Sequence, residues 1–194
     1  METEFEVKFY PVDKNKIRKK LRSLGAKLVT PERKMRRVLF GFRQNPQMKC
    51  QYLRVRDEGN GVIRLSAKTH AKEGGKISDQ KELDVKVEDF DRMIEIAKTA
   101  GFVQTDYQEN LRESWQFGGT EVELDDWPGL ETRLEIEGKS ESEIKRVAEK
   151  LGLDWEAKII VPMLNVYAKV YGLPMEEVLE KMRYLTFEKN SFQG

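Results

Sequence analysis

Strict alternation of charged and apolar residues at the start of the chain is the feature that most constrains its fold. Residues 4–9 read EFEVKF, which places Glu4, Glu6 and Lys8 on one side of an extended chain and three apolar side chains on the other. A repeat of two residues is the period of a β-strand, whose successive side chains point to opposite faces of the sheet. Taken alone, the segment fits an antiparallel strand with one solvated and one buried face.

The same arrangement recurs near the other end of the chain. Residues 133–137 read RLEIE, so Glu135 and Glu137 again lie beside a cation on one strand face. Hard divalent cations take several oxygen ligands, and Mg²⁺ commonly combines carboxylates with substrate phosphates. Two such carboxylate pairs favour a metal site over simple solvation.

A predicted hairpin concentrates positive charge. Residues 51–56 and 62–68 alternate on either side of a glycine-containing turn, which is typical of a β-hairpin. One face of this hairpin carries Arg54, Arg56, Arg64 and Lys68. Like charges across neighbouring strands destabilise an open sheet, so we expect an anionic group to compensate them.

The net charge of +1 conceals an uneven distribution of charge along the chain. Residues 1–75 hold 19 of the 35 Lys and Arg but 8 of the 34 Asp and Glu, which leaves 16 cations and 26 anions for the remainder. The basic half could suit nucleic acid, but an acidic half in the same compact domain would repel it. An anionic small molecule held by cations, and bridged by a metal to carboxylates, would use both halves.

Composition excludes several classes of protein. The single cysteine, Cys50, allows no internal disulfide and fits a reducing cytoplasm, and the single histidine, His70, argues against His-rich metal sites and Ser-His-Asp catalysis. No apolar run approaches the roughly 18–20 residues of a membrane span. The 194 residues contain no repeat or linker, so we expect one domain over residues 1–194.

The pattern of elements predicts an α+β fold built on an antiparallel sheet. Several alternating strands have few helices between them, which favours antiparallel over parallel pairing. Amphipathic helices are predicted near residues 14–24, 88–100 and 140–151, and C-terminal helices at about 158–184. The charged faces could lie in water on an open sheet or line a closed barrel whose outer face the helices cover.

Five motifs in a fixed order resemble the CYTH superfamily of triphosphate tunnel metalloenzymes. They are Glu4-x-Glu6-x-Lys8, residues 53–56 (LRVR), the strand that ends at Lys68, Lys81-Glu82, and residues 135–137 (EIE). The resemblance covers roughly residues 2–170. It implies a closed antiparallel β-barrel of about eight strands, with a triphosphate tunnel inside and amphipathic helices packed outside.

The resemblance also implies roles for individual residues. Glu4, Glu6, Glu135 and Glu137 are expected to bind Mg²⁺ or Mn²⁺, with either Glu123 or Asp125 as a further ligand. Alternation puts both of the latter on one face, so the sequence does not separate them. Phosphate contacts are expected from Lys8, Arg54, Arg56, Lys68 and Arg112, and Glu82 is expected to orient cations from across the tunnel.

Three positions bear on which branch of the superfamily this chain is similar to. Lys158 matches a late lysine of thiamine triphosphatases, which implies a helix at the tunnel mouth with its ammonium near phosphate. Asn110 stands where relatives commonly carry a lysine, and residues 36–40 (RRVLF) replace an expected aspartate-tyrosine pattern. These two departures weaken any transfer of substrate identity.

The implied function is metal-dependent hydrolysis of the terminal phosphate of inorganic triphosphate, thiamine triphosphate or a nucleoside triphosphate. Two alternatives stay open. A class IV-type adenylyl cyclase would use the same phosphate contacts to convert ATP to cyclic AMP and pyrophosphate. A module that binds polyphosphate or RNA 5′ ends would use the basic half but would not need the carboxylates. The expected partner is a small-molecule triphosphate, and a homodimer is left open.

Overall fold

The structure is a computed structural model that describes residues 2–3, 5–41, 52–69 and 75–192. Glu4, Cys50 and His70 lie outside the described residues. The strands are β1 (Glu2–Thr3), β2 (Phe5–Phe9), β3 (Lys27–Gly41), β4 (Tyr52–Asp57), β5 (Ile63–Thr69), β6 (Lys81–Val87), β7 (Gln104–Phe117), β8 (Thr120–Asp126), β9 (Arg133–Gly138) and β10 (Tyr184–Leu185). The helices are α1 (Lys14–Ser23), α2 (Phe90–Thr99), α3 (Glu141–Leu151), α4 (Met163–Tyr171) and α5 (Met175–Lys181), with 3₁₀ turns at Ile77–Asp79 and Trp155–Ala157.

The strands form one curled sheet in the order β1-β6-β5-β4-β3-β7-β8-β9-β2, and every neighbouring pair is antiparallel. The predicted α+β architecture with an antiparallel sheet is confirmed, and the sheet has ten strands among the described residues, where about eight were expected. The short strand β10 pairs in parallel with β7. The sheet curls into a half-barrel, and no ladder among the described residues joins β1 to β2. Closure into a full barrel therefore stays a prediction.

The two ends of the sheet are nevertheless connected through the N-terminal segment. β1 and β2 are consecutive in the chain, but they pair at opposite ends of the sheet. β1 pairs with β6, and β2 pairs with β9. Side chains also cross between the ends. Lys68 Nζ lies 3.1 Å from Glu6 Oε2, and Gln80 Nε2 donates to the Glu6 carbonyl at 2.8 Å. The polar face of the sheet consequently lies on its concave side.

Amphipathic helices cover the apolar, convex face of the sheet. Leu21 of α1 and Ile144 of α3 pack in one core with Ile136 of β9. Phe90 of α2 packs in another core with Val55 of β4. This packing leaves the charged residue of each alternating pair on the concave side. No helix in the described ranges has both the length and the apolarity that a membrane span requires.

The C-terminal helices differ from the prediction at both ends. α4 begins at Met163, because the backbone of Ile159 is hydrogen bonded to that of Lys8 at 2.8 and 2.9 Å and is therefore extended. Pro162, whose fixed φ suits the position before a first helical turn, then starts the helix. At the other end α5 stops at Lys181, and Tyr184–Leu185 form β10. The two C-terminal helices are therefore confirmed, but their predicted outer bounds at residues 158 and 184 were wrong.

Candidate active site

The concave face of the sheet encloses a cavity of about 1080 Å³. The basic residues that line it from the strands are Lys8, Arg33, Arg37, Arg54, Arg56, Arg64, Lys68, Arg112 and Arg133. The acidic lining residues are Glu6, Glu58, Glu82, Asp84, Asp106, Glu121, Glu123, Glu135 and Glu137. Buried charges are costly unless they are paired or bind a ligand, so this lining suits a charged ligand.

Four arginines of β3 and β4 form one side of the cavity, the cationic wall: Arg33, Arg37, Arg54 and Arg56. Arg37 donates from Nε and Nη2 to Oε1 of Gln108 at 3.0 and 2.7 Å, and its guanidinium lies 4.4 Å from the centre of the Trp127 ring. It has no carboxylate partner among the described residues. Burial and the nearby Arg54 lower the pKa of Arg37, although a guanidinium stays charged at neutral pH.

Two further arginines of the cationic wall are also only partly compensated. Arg56 Nη2 donates to Glu58 at 3.0 Å, whereas its Nε is buried with no hydrogen-bond partner in the described part of the chain. Burial and repulsion from Arg54 lower the pKa of Arg56, and burial and repulsion from Arg112 lower the pKa of Arg33. An anion placed among these guanidiniums would relieve the repulsion. The cationic wall therefore has the properties of an anion site.

Lysines and glutamates form a network next to this wall, where the two ends of the sheet meet. Glu6 pairs with Lys8 and with Lys68. Lys68 also lies 3.2 Å from Glu82, and Glu82 accepts a hydrogen bond from Arg54 at 2.8 Å. The contacts of Glu82 with two cations agree with its expected orienting role, which stays a prediction. Each cation of this network could exchange a carboxylate for a phosphate oxygen without leaving the cavity.

Four glutamates of β8 and β9 form the carboxylate wall: Glu121, Glu123, Glu135 and Glu137. Glu121 is opposite Glu137 in the strand register, and Glu123 is opposite Glu135. The side chain of Glu137 is exposed, and partial desolvation together with repulsion from Glu135 raises its pKa. Burial also raises the pKa of Glu123 against the opposing charge of Arg112, and Glu135 adds to the rise. Glu135, by contrast, pairs with Arg133 at 2.9 Å, and although burial raises its pKa, the charges of Arg133 and Arg112 hold that pKa well below the ordinary value. The under-compensated negative charge of this wall therefore lies at Glu123 and Glu137.

Asp125 lies behind the cavity and not in its lining. It is fully buried, and it accepts hydrogen bonds from Nε and Nη2 of Arg112 at 2.7 Å each and from Nε of Arg133 at 3.0 Å. Although burial opposes it, the charges of these two arginines lower the pKa of Asp125. The structure thus distinguishes two residues that the sequence could not separate. Glu123 faces the cavity, and Asp125 orients Arg112 and Arg133.

The carboxylates suit a hard divalent cation by their chemistry, although they form no complete metal site. No group of three or more Asp, Glu, His or Cys in the described ranges is arranged to hold a metal. The pKa values of Glu123 and Glu137 are raised, and a bound cation would lower them by stabilising the ionised carboxylates. Mg²⁺ commonly completes its coordination with water and substrate phosphate. These carboxylates therefore fit a divalent cation whose coordination shell is completed by a substrate phosphate.

Ten of the residues expected from the resemblance line this one cavity: Glu6, Lys8, Arg54, Arg56, Lys68, Glu82, Arg112, Glu123, Glu135 and Glu137. Lys158 is not among the lining residues of the described chain. Its Nζ lies 4.9 Å from the centre of the Trp155 ring and 4.0 Å from Glu156. The extended backbone that replaces the expected helix start carries this side chain onto Trp155.

Sequence reasoning did not single out Arg33, Arg37, Arg133 or Glu121 as site residues. The period of two held the signal for all four, since Glu121 also precedes Glu123 by two residues on β8. Arg33 and Arg37 alternate along β3 on either side of Met35, and Arg133 precedes Glu135 by two residues. Arg37 lies in the segment where the chain departs from the family pattern. Its position in the cavity shows that the departure adds a cation to the site.

Comparison with known proteins agrees with this geometry. A family model described as the CYTH domain matches residues 2–171. A Methanocaldococcus jannaschii protein, named as a candidate adenylate cyclase, is 32% identical over 168 residues, which are 84% of this chain and 90% of that protein.

Solved structures show the same fold. The PH1012 protein of Pyrococcus horikoshii has a TM-score of 0.67 and 27% identity, over 82% of this chain and 96% of that one. A Hippeastrum protein, described as a candidate adenylyl cyclase with a dominant triphosphatase activity, has a TM-score of 0.54 and 16% identity, over 91% of this chain and 99% of that one. With the family model matching nearly its whole length, this chain belongs to the CYTH family.

Proposed function

We propose that this protein hydrolyses the terminal phosphate of a triphosphate compound in its cavity, with Mg²⁺ or Mn²⁺ at the carboxylate wall. The observation that supports the proposal is that one cavity contains arginines and glutamates whose charges are incompletely neutralised, and that the two groups lie on different strands. Arginines with lowered pKa values lie on β3 and β4, and glutamates with raised pKa values lie on β8 and β9. A metal-bound triphosphate would supply an anion to the first wall and a cation to the second.

Phosphoryl transfer depends mainly on positioning and on neutralising charge, which this cavity can provide. Arginines of the cationic wall would hold nonbridging oxygens in bidentate contacts. Such contacts are stronger in a buried cavity than in water. In the proposed reaction the oxygen of a water molecule bonds to the terminal phosphorus, and the bond from that phosphorus to the bridging oxygen breaks. The products are orthophosphate and a diphosphate.

Glu123, Glu135 and Glu137, with Glu6 on the adjacent strand, would hold the metal, and the resemblance adds Glu4. When bound, the ion would supply positive charge to the phosphate oxygens and lower the pKa of a bound water. The chain itself provides orientation. Asp125 fixes the guanidinium of Arg112, whose Nη2 lies 3.7 Å from Glu135 at the edge of the carboxylate wall.

A tunnel that closes around the substrate is part of this proposal. Two side-chain contacts between the ends of the half-barrel support it, the Lys68–Glu6 ion pair and the hydrogen bond from Gln80 to the Glu6 carbonyl. Closure would exclude bulk water from the phosphate chain, and this would strengthen each ionic contact within the cavity.

Cyclisation of ATP is the second candidate, because the Methanocaldococcus jannaschii relative carries a cyclase name. In that reaction the ribose 3′-hydroxyl would replace water and attack the α-phosphate, and pyrophosphate would leave. The triphosphatase activity described for the Hippeastrum neighbour supports placing hydrolysis first.

Product analysis distinguishes the two reactions. The protein is incubated with inorganic triphosphate, thiamine triphosphate and ATP, each with Mg²⁺ or Mn²⁺ and each with an excess of chelator. We expect orthophosphate and a diphosphate product from at least one compound, and no product with chelator. Cyclic AMP with pyrophosphate would establish the cyclase instead. Absence of turnover with all three compounds would contradict both.

A further inference from the structure

Strand β6 is an edge of the sheet over most of its length. On one side it pairs with β5 throughout, whereas on the other side β1 pairs with it only at Lys81 and Glu82. The chain leaves β1 in the direction of Gln80, whose Nε2 donates to the Glu6 carbonyl, and so it runs away from residues 83–87. In the part of the chain that the structure describes, residues 83–87 are therefore a free edge. Closure of the barrel through the N-terminal segment would not cover it.

One face of the free edge is apolar and exposed. Val85 is opposite Leu65 in the register, and Leu65 packs against the core that contains Phe90 of α2. The apolar face of the sheet thus continues onto β6, where Leu83 and Val85 are 53% and 55% exposed and belong to no core among the described residues. An exposed apolar edge strand is a template for pairing with a further strand, because its outward N–H and C=O groups have no partner strand.

The opposite face of the free edge carries an unbalanced cation. Asp84 lines the cavity, and Lys86, two residues later, lies on the same face of β6. Lys86 is opposite Arg64 in the register, and like charges on neighbouring strands repel. Arg64 pairs with Glu58 and Asp84, whereas Lys86 has no ion-pair partner within the described ranges. A carboxylate beside Lys86 at the free edge would offset this repulsion.

We propose that β6 pairs with β6 of a second copy of this chain, antiparallel about a twofold axis, so that one sheet continues through a homodimer. The free edge spans residues 83–87, so the register that pairs all five is centred on Val85. That register sets Asp84 opposite Lys86 of the second copy, and it sets Leu83 opposite Val87. Other twofold registers pair fewer of these residues. Those centred on Asp84 or on Lys86 also place like charges opposite each other.

A second copy suits this edge because the edge is complementary to itself. A twofold axis perpendicular to the sheet keeps both apolar faces on one side and both charged faces on the other. Each copy supplies five residues, so the interface is small, and small interfaces are typical of transient complexes. We therefore expect a dissociation constant on the order of 10 µM, reached by main-chain hydrogen bonds and two apolar cross-strand pairs. The pairing does not depend on the reaction proposed for the cavity.

Sedimentation velocity at protein concentrations from about 1 to about 200 µM tests the pairing. We expect the wild type to change from monomer to dimer over this range. Lys86→Asp would place carboxylates opposite each other at two positions of the dimer, and we expect it to lower the association constant about tenfold or more. Asp84→Lys combined with Lys86→Asp exchanges the two charges and should restore most of the association. Failure of this double variant to restore it would contradict the register.

Val85→Asp places a charge at the centre of the free edge, and it should abolish the dimer. Because Val85 is more than half exposed, we expect the fold to tolerate the change, which circular dichroism verifies. Val170→Asp is the matched control, since Val170 is also an exposed valine, at 47%, but lies on α4. It should leave the equilibrium unchanged. A wild type that stays monomeric at about 200 µM, or a dimer that persists in both Lys86→Asp and Val85→Asp, would overturn the proposal.

Discussion

The cationic wall and the carboxylate wall lie on either side of β7 and respond to burial in opposite ways. On β3 and β4, burial and mutual repulsion lower the pKa values of Arg37 and Arg56. On β8 and β9, burial and mutual repulsion raise the pKa values of Glu123 and Glu137. The groups with shifted pKa values on each wall thus disfavour their own charge and suit a ligand of the opposite sign, whereas Glu135 is already compensated by Arg112 and Arg133.

Arg112 of β7 shows why the two walls do not neutralise each other. Its guanidinium is bound to Asp125 and Glu123, and it lies in the register between Arg33 on one side and Asp125 on the other. The carboxylate wall thus forms its ion pairs with Arg112 and Arg133. Among the described residues, it forms none with the four arginines of the cationic wall. The uneven charge of the two halves of the chain thus becomes an uneven charge across one cavity.

The largest expected effect comes from removing a charge of the carboxylate wall. Glu135→Gln keeps the volume of the side chain but removes a proposed metal ligand, so we expect kcat/KM to fall about 1,000-fold or more, roughly 4 kcal/mol of barrier. Steady-state kinetics at limiting and saturating Mg²⁺ measure it. Glu131→Gln, an exposed glutamate outside the lining, serves as control. Wild-type activity of Glu135→Gln at limiting metal would refute the metal assignment.

Asp125→Asn tests whether the residue behind the wall acts through the arginines that it holds. The substitution removes the carboxylate that two buried guanidiniums share, and although Glu123 and Glu135 still pair with them, we expect a loss of about 3 kcal/mol of unfolding free energy, the lower end for a broken buried ion pair. Urea denaturation of the metal-free protein measures it. Asp126→Asn removes a more exposed carboxylate paired with Lys14, and we expect it to cost less than about 1 kcal/mol. Equal losses in the two variants would show that Asp125 has no special role.

Arg56→Lys tests whether the cationic wall acts through its geometry or only through its charge. Lysine keeps the charge but cannot reproduce a planar bidentate contact, so we expect kcat/KM for a triphosphate to fall about 10- to 100-fold. Arg92→Lys, at an exposed position on α2, should change it by less than twofold. If Arg56→Lys changes kcat/KM as little as that control does, the charge at this position is sufficient, and the bidentate contact assigned to Arg56 is wrong.

Glu137→Gln should give the smallest effect, and it depends on pH. Because its pKa is raised in the folded state above the ordinary 4.5, an ionised Glu137 makes the metal-free protein less stable as the pH rises through that range. The Glu137→Gln variant cannot ionise at this position, so it does not lose stability in this way as the pH rises. Because Glu137 is exposed and water screens its charge, we expect the unfolding midpoint of the variant to exceed that of the wild type by no more than about 2 °C at pH 7 and to equal it near pH 4. A midpoint difference that does not change with pH would contradict the raised pKa.

Local signals explain why much of the fold could be predicted. The period of two predicted the hairpin of β4 and β5, in which Arg56 is opposite Arg64. Ser140 and Glu143 predicted the start of α3, and the structure shows Ser140 Oγ accepting from the Glu143 amide at 3.3 Å. These features involve residues close together in the chain, and alternation assigns each side chain to a face before any long-range contact forms.

The face of the sheet on which a side chain lies does not determine how deeply that side chain is buried, because burial depends on how the sheet curves. Alternation along the chain was enough to predict which residues share the concave face, because the period of two is a property of the extended backbone. Only the curl of the sheet placed Glu123 in the cavity and Asp125 behind it, and only the pairing of Ile159 with Lys8 kept Lys158 out of a helix. Those outcomes depend on strands far apart in the chain, whose approach the local pattern does not encode.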